Sequence, residues 1–323
     1  MTRTLHLQDL TALVRPELEQ MNVELADDLR PKEPELHALI EHVEQYRGKQ
    51  LRPALVMLSG KAVGTLTADH TTVAKVVELI HTATLVHDDI LDDAGMRRQV
   101  PTTNCLHGNE AAVLLGDYIY ARAFQLSVSM QDQACSRHLA EATQTICQGE
   151  IIQILHRLDF DWTEDQYYRV IADKTAYLYA TACRLGGYYA GGDPEQLDAL
   201  ATYGMQLGIA FQIVDDCLDL EGEEGVVGKS LGTDLMSGKL TLPLLHVLNE
   251  RPDARDYLQN LAGQDDALAC FRAEFDLDGA MAYSMDQARA CVAASRSALA
   301  SLPESSAREA LEQIATFVVH RDQ

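Results

Sequence analysis

Two five-residue runs, Asp88-Asp89-Ile90-Leu91-Asp92 and Asp215-Asp216-Cys217-Leu218-Asp219, share the spacing D-D-x-x-D. On a helix, residues four apart lie on one face with Cβ atoms about 5–6 Å apart. Asp88 therefore points with Asp92, and Asp215 with Asp219. Each run closes an apolar helical stretch, where the helix dipole already disfavours negative charge. Such pairs need a compensating charge, and a divalent cation supplies it. Magnesium suits the donors: it takes one or two carboxylates and completes its octahedron with waters and phosphate oxygens. A solvated acidic face is the plain alternative for one such run. Two copies, each behind an apolar helix, favour metal binding.

The cations are equally selective. The chain has only seven lysines, and four stand in short, unusual contexts: Gly48-Lys49-Gln50-Leu51-Arg52-Pro53, Asp173-Lys174-Thr175, Gly228-Lys229 and Gly238-Lys239-Leu240-Thr241-Leu242-Pro243. Arg97-Arg98 follows the first acidic run. A single lysine is more often a solvated surface residue, so the set carries the argument. Carboxylates, a divalent cation and converging Lys/Arg are the constellation for a diphosphate held through magnesium.

Composition sets the bounds. The 323 residues include 26 basic and 49 acidic ones, a formal net charge of −23. Phosphate backbones are held by Lys and Arg, so this balance excludes a nucleic-acid binder. Hydrophobic residues make up 47%, enough for a sizeable core. The N-terminus has no apolar signal-type segment, and no run of 18 apolar residues predicts a transmembrane helix. Seven scattered cysteines (105, 135, 147, 183, 217, 270 and 291) include no Cys-x-x-Cys pair. Reduced thiols in a cytoplasm are the simplest reading.

The elements that must position these residues are helical. No proline interrupts the chain between Pro101 and Pro194, and proline costs about 3 kcal/mol inside a helix. Asp193-Pro194-Glu195-Gln196 reads as a capped helix start, and Thr163 to Gln166 has capping-box spacing. Helices are expected near 8–22, 33–46, 50–64, 69–92, 108–129, 133–157, 163–190, 194–221, 239–249, 264–274, 278–301 and 305–320. Gly95–His107 and Glu221–Gly238 are the expected loops. Strand-type alternation is absent. The fold class is all-α, one large bundle of long helices in a single domain over 1–323.

At these residues the chain resembles the trans-polyprenyl diphosphate synthases, in particular the bacterial octaprenyl-forming members. The resemblance runs from about Leu36 to Gln323. It rests on GKQLRP, LIHTATLVHDDILDDAGMRR, GDYIYARAF, DKTAYL, FQIVDDCLD, GKSLGTDL and GKLTLP. It implies an isoprenoid-synthase-type α-bundle, usually a homodimer, that joins isopentenyl diphosphate repeatedly to an allylic diphosphate. By that resemblance Lys49, Arg52, His81 and Arg98 serve isopentenyl diphosphate. Arg97, Lys174, Thr175, Gln212, Lys229 and Lys239 serve the allylic diphosphate. Asp88 and Asp92 resemble the ligands of two Mg²⁺ ions and Asp215 that of a third, with Asp219 contributing. Lys174, Asp88 and Asp215 are the residues expected to carry catalysis. The sequence departs from the family pattern G-G-K-R-x-R-P at two positions, where Arg47 replaces the first Gly and Gln50 the Arg.

His81 lies seven residues before Asp88, on nearly the same helical face, which favours a ligand contact. His87 is rotated about 100° from Asp88 and reads as structural. Short-chain members of the family often place aromatics at the positions of Ala83 and Thr84. Here both are small, which implies an open path for the growing tail and a long product, octaprenyl made from a farnesyl primer for quinone side chains. Close helix packing is the plain alternative for two small residues. Phe124, Leu126 and Met130 are candidates for the end of that path. A geranylgeranyl synthase, a non-catalytic partner subunit and a terpene cyclase are the competing readings. The second D-D-x-x-D and the GKxxRP segment disfavour the cyclase, and the intact motif acids and bases disfavour the partner subunit.

Overall fold

The absence of proline after Pro101 appears as two long helices, α6 (Thr103–Ser129) and α7 (Ala134–Leu155). The structure is a computed structural model that describes residues 7–46, 48–221, 232–261, 264 and 266–320. Before α6 come the short α1 (Leu7–Leu10), then α2 (Arg15–Leu29), α3 (Pro34–Glu44), α4 (Leu51–Val63) and α5 (Ala68–Leu91). After α7 come α8 (Glu164–Ile171), α9 (Tyr177–Tyr189) and α10 (Pro194–Glu221). The remainder is α11 (Thr233–Met236), α12 (Leu242–Glu250), α13 (Pro252–Leu261), α14 (Ala267–Glu274), α15 (Asp278–Ala298) and α16 (Ser306–Val318). The fold is all-α. None of the described helices is long and apolar enough to cross a membrane.

The starts are built by side chains. Gln166 and Thr163 exchange two hydrogen bonds, Gln166 N–H to Thr163 Oγ1 at 3.3 Å and Thr163 N–H to Gln166 Oε1 at 2.9 Å. Asp193 and Gln196 do the same before α10, at 2.9 and 3.1 Å. Each pair satisfies amides that a helix N-terminus leaves without partners.

Five expectations change. The 95–107 loop contains a two-residue antiparallel hairpin, β1 (Met96–Arg97) with β2 (Val100–Pro101). Helix α6 begins at Thr103 and breaks at Gly108 (φ 82°, ψ 162°), where the sequence pattern placed its start. The 163–190 helix carries a π-turn over Ala172–Ala176. α12 starts at Leu242 rather than 239, because Thr241 is its cap residue and Pro243 belongs to its first turn. α13, begun by Pro252, was not expected at all. The expected 221–238 loop falls partly outside the described residues, and its end holds α11.

The chain divides into two compact units. The first comprises the described residues of Met1–Thr143, Leu178–Gly204 and Ala298–Ile314; the second those of Gln144–Tyr177, Met205–Ser297 and Ala315–Gln323. In the first unit α4 is buried almost all round, from Pro53 to Gly60, which explains its unbroken apolar run. α9 approaches it closely because Gly186 has no side chain: a Cβ there would strike the Val56 carbonyl. α5 packs on both α4 and α6. Lys75 of α5, nearly buried, bonds Glu24 and Asp28 of α2, both at 2.9 Å, and Arg122 of α6 reaches Asp28 at 3.1 Å. Burial alone would depress the Lys75 ammonium, but the bonds from the two carboxylates raise it.

Candidate active site

The first acidic run ends α5. Asp88 is half-buried, Asp89 buried and Asp92 exposed at the helix C-cap, its amide bonded to the Asp88 carbonyl at 2.9 Å. Arg97 Nε and Nη2 both donate to Asp89 Oδ1, at 2.8 and 2.7 Å. The hairpin that carries Arg97 turns through Arg98 (φ 52°) and Gln99 (φ 64°). Two positive φ values are what a type I′ turn requires, and non-glycine residues adopt them at a cost. The Arg98 guanidinium lies against Gly48, where any Cβ would overlap it, and donates to the Tyr46 carbonyl. Tyr46 is itself fixed, its hydroxyl accepting from the Thr103 amide at 2.7 Å.

Arg52, in the first turn of α4, stacks on the Tyr179 ring at 4.2 Å from its centroid. Its Nη1 donates to His81 Nε2 at 3.1 Å. Burial holds His81 well below the usual imidazole range, and Arg52, Arg98 and Arg97 push it further. His81 is therefore a neutral acceptor. Arg52 Nε is buried and has no hydrogen-bond partner among the described residues. Three guanidinium groups thus gather around one neutral ring, an arrangement that an anion relieves. Lys49, also expected at this site, lies exposed on the loop before α4.

The second acidic run ends α10 in the other unit. Asp216 is buried and takes bonds at both oxygens: Tyr167 donates to Oδ2 at 2.6 Å and Gln212 Nε2 to Oδ1 at 2.8 Å. Thr175 in turn donates to Gln212 Oε1 at 2.8 Å. Burial, then Asp234 and Asp215, hold the Asp216 carboxyl well above the usual range. Asp219 accepts from Thr233 Oγ1 at 2.8 Å and from the Asp234 amide at 3.2 Å, so it holds the first turn of α11. Burial and the Asp234 charge push it up to about 6. Lys239 lies 3.6 Å from Asp234. Lys174, in the π-turn, reaches Glu150 at 2.5 Å and Gln153 at 3.1 Å. Gly149 lets α7 approach that turn, since a Cβ would press on the Lys174 backbone. Lys174, Thr175, Gln212, Asp216 and Lys239 line one cleft with Tyr167.

Among the described residues no group of three or more His, Cys, Asp or Glu side chains converges as a self-sufficient metal site. Magnesium requires less, because phosphate and water oxygens fill most of its shell. The donors on offer are hard carboxylate oxygens. The carboxylates of each unit, taken by itself, fit such an ion: Asp88 and Asp92 are the candidate holders in the first, Asp215 and Asp219 in the second.

The family described as polyprenyl synthetase matches residues 33–271, and the chain belongs to that family. It is a prenyltransferase, similar over nearly its whole length to the octaprenyl diphosphate synthase of Escherichia coli K12, with 35% identity covering 98% of this chain and 100% of that protein. It is 34% identical to the geranyl-diphosphate-specific all-trans-nonaprenyl-diphosphate synthase of Rhodobacter capsulatus, covering 98% of each. A crystal structure of the polyprenyl synthase of Caulobacter crescentus, complexed with calcium and isoprenyl diphosphate, superposes with a TM-score of 0.94, 32% identity and full coverage of both chains.

Of the site residues expected from sequence, the first unit brings Arg52, His81, Arg97 and Arg98 to one another, and the second gathers Lys174, Thr175, Gln212 and Lys239. Lys229 lies outside the described residues. Ala83 is fully buried, and Thr84 turns its hydroxyl onto the His81 carbonyl at 2.7 Å. Phe124 and Leu126 are half-buried and Met130 buried. His87 lies over Gly116 of α6 and bonds the Val113 carbonyl at 3.2 Å. Sequence reasoning missed Tyr167, Glu150, Gln153, Asp234 and Tyr179. The middle aspartates Asp89 and Asp216 were quoted but given no duty.

Proposed function

We propose that the protein condenses isopentenyl diphosphate with an allylic diphosphate, farnesyl as primer, and repeats the addition to an all-trans octaprenyl product for quinone side chains. The observation that carries this reading is the basic cluster of Arg52, Arg97 and Arg98 around neutral His81, with a buried Arg52 Nε–H lacking an acceptor. A diphosphate supplies the missing acceptor and the missing negative charge. Relatives that make octaprenyl and nonaprenyl chains support a long product.

Lys49, Arg52, His81 and Arg98 hold isopentenyl diphosphate. Lys174, Thr175, Gln212, Lys229 and Lys239 hold the allylic diphosphate, with Arg97. Asp88, Asp92, Asp215 and Asp219 bind Mg²⁺, three ions in all. Magnesium, when bound, neutralises the allylic diphosphate and makes it a better leaving group. Lys174 and Lys239 add positive charge as the carbon–oxygen bond breaks. The isopentenyl double bond attacks the allylic cation, a new carbon–carbon bond forms, and a proton leaves to the released diphosphate. No side-chain nucleophile takes part. Small Ala83 and Thr84 leave the tail a path.

A homodimer belongs to this reading and is supported by the exposed apolar side chains of α6, among them Leu106, Val113, Leu114 and Val128. A cytoplasmic setting is supported by seven cysteines that form no disulfide among the described residues. The test is incubation of purified protein with isopentenyl and farnesyl diphosphates and Mg²⁺, with chromatography of the products. An octaprenyl product is expected. A farnesyl or geranylgeranyl end product, or no elongation, refutes the reading.

A further inference from the structure

Lys49, in the loop between α3 and α4, and Arg52, in the first turn of α4, stand on either side of a strained residue. Gln50 has φ 50° and ψ 42°, left-handed backbone that a side chain resists, yet it is the cap residue of α4. Its carbonyl accepts the Ala54 amide at 3.1 Å, so the turn is locked to the first turn of the helix. Among the described residues no side chain caps α4, and Gln50 is not glycine. The explanation lies 28 residues earlier. Gln50 Nε2 donates to Asn22 Oδ1 at 2.6 Å, and Asn22 Nδ2 donates to Gln50 Oε1 at 3.0 Å. The two primary amides form a closed, reciprocal pair between α2 and the loop.

We infer that Asn22 is a positioning residue for isopentenyl diphosphate: through Gln50 it fixes the turn that presents Lys49 and Arg52. The inference rests on the proposed assignment of those two basic residues to this substrate. The reciprocal pair uses both the donor and the acceptor of each amide, so neither side chain can rotate without losing two bonds. Gln50 stands where the family pattern has arginine, and an arginine there has no acceptor to return to Asn22. Arg52 is already set on one side by the Tyr179 ring and on the other by His81. The clasp sets the backbone from which Arg52 and Lys49 start.

The test is steady-state kinetics on the full chain for Asn22→Ala, Asn22→Asp, Gln50→Ala and the Asn22→Ala/Gln50→Ala pair, with Arg52→Ala as reference. Asn22→Ala is expected to raise KM for isopentenyl diphosphate about three- to tenfold, leaving kcat and the allylic KM within about twofold. Gln50→Ala is expected to match it, and the double variant to be no worse than either single, because all three lose the same clasp. Asn22→Asp, which keeps the acceptor for Gln50 Nε2, is expected to fall between. An Asn22→Ala enzyme with an unchanged KM beside an impaired Arg52→Ala overturns the inference. Equal shifts for both substrates with a lowered melting temperature also overturn it, since that is the signature of a merely structural contact. If Arg52→Ala itself leaves this KM unchanged, the substrate assignment fails, and the inference with it.

Discussion

Asp215 and Asp216 are adjacent in sequence and divide the work. Asp216 is consumed by Tyr167 and Gln212 inside the protein, whereas Asp215 is the one proposed for metal. Asp88→Ala and Asp215→Ala are each expected to lower turnover by at least about 100-fold, the scale on which losing an electrostatic contact to developing charge is felt. Turnover near the parent's, with EDTA harmless, would remove metal from the mechanism. His70 offers a test away from that chemistry. It is buried, its Nδ1 accepts the Thr67 amide at 2.9 Å, and its Nε2 bonds the Gly186 carbonyl at 3.0 Å. Burial holds its pKa below the usual value. Below about pH 6.5 the unfolded chain binds a proton that folded His70 refuses, so stability falls as pH drops through that value. Urea melts from pH 7.5 to 5 are expected to show that slope, and His70→Asn to flatten it while costing stability at pH 7.5. His81 and His138, also depressed by burial, retain part of the slope. An unchanged slope in His70→Asn contradicts the argument.

At the scale of elements, α4 and α9 matter as a pair. Gly186 sets their distance, and that distance puts Tyr179 of α9 beneath Arg52 of α4. Gly186→Ala is expected to cost about 2–3 kcal/mol, because the obstacle is backbone and cannot rotate away. Thermal melts measure it, and a loss under about 0.5 kcal/mol would mean the helices have slack. The long helices and their caps were legible because the proline-free run, Thr163, Asp193 and proline placement are local signals. The partners of the acidic runs were not. Tyr167 meets Asp216 from 49 residues away, and Tyr179 meets Arg52 from far along the chain. Two-letter motifs carry no information about such contacts. The π-turn was invisible for another reason: ADKTA is ordinary helix-compatible sequence, and only the packing around it selects the wider turn.

At the scale of the whole molecule, the proposed product length depends on how α5 is packed. Ala83 is fully buried, so a tail path beside it and tight helix packing make different predictions for Ala83→Tyr. If the tail passes there, the variant completes the first condensation and releases short products, with a modest fall in melting temperature. If Ala83 serves packing alone, the variant loses about 1–3 kcal/mol or more and keeps its product distribution. Chromatography of products together with a melt distinguishes the two. The oligomeric reading is tested in the same way: Leu114→Asp, at an exposed apolar position of α6, is expected to shift a dimer to monomer in size-exclusion chromatography with light scattering. A parent protein that runs as a monomer refutes the dimer.

Lys174 and Thr175 sit in a turn where the Tyr177 amide bonds Ala172, one residue wider than an α-helical turn, between two helices that otherwise run on as one. Removing one residue between Ala172 and Ala176 would restore regular winding and turn the side chains of this stretch by about 100° about the helix axis. Lys174 would leave Glu150 and Gln153, and Thr175 would leave Gln212. Single substitutions at Ala172, Asp173 or Ala176 leave Lys174 and Thr175 in place, but a one-codon deletion would dismantle three contacts at once. Apart from Lys174 and Thr175, this stretch should therefore tolerate exchange of residues far better than change of length.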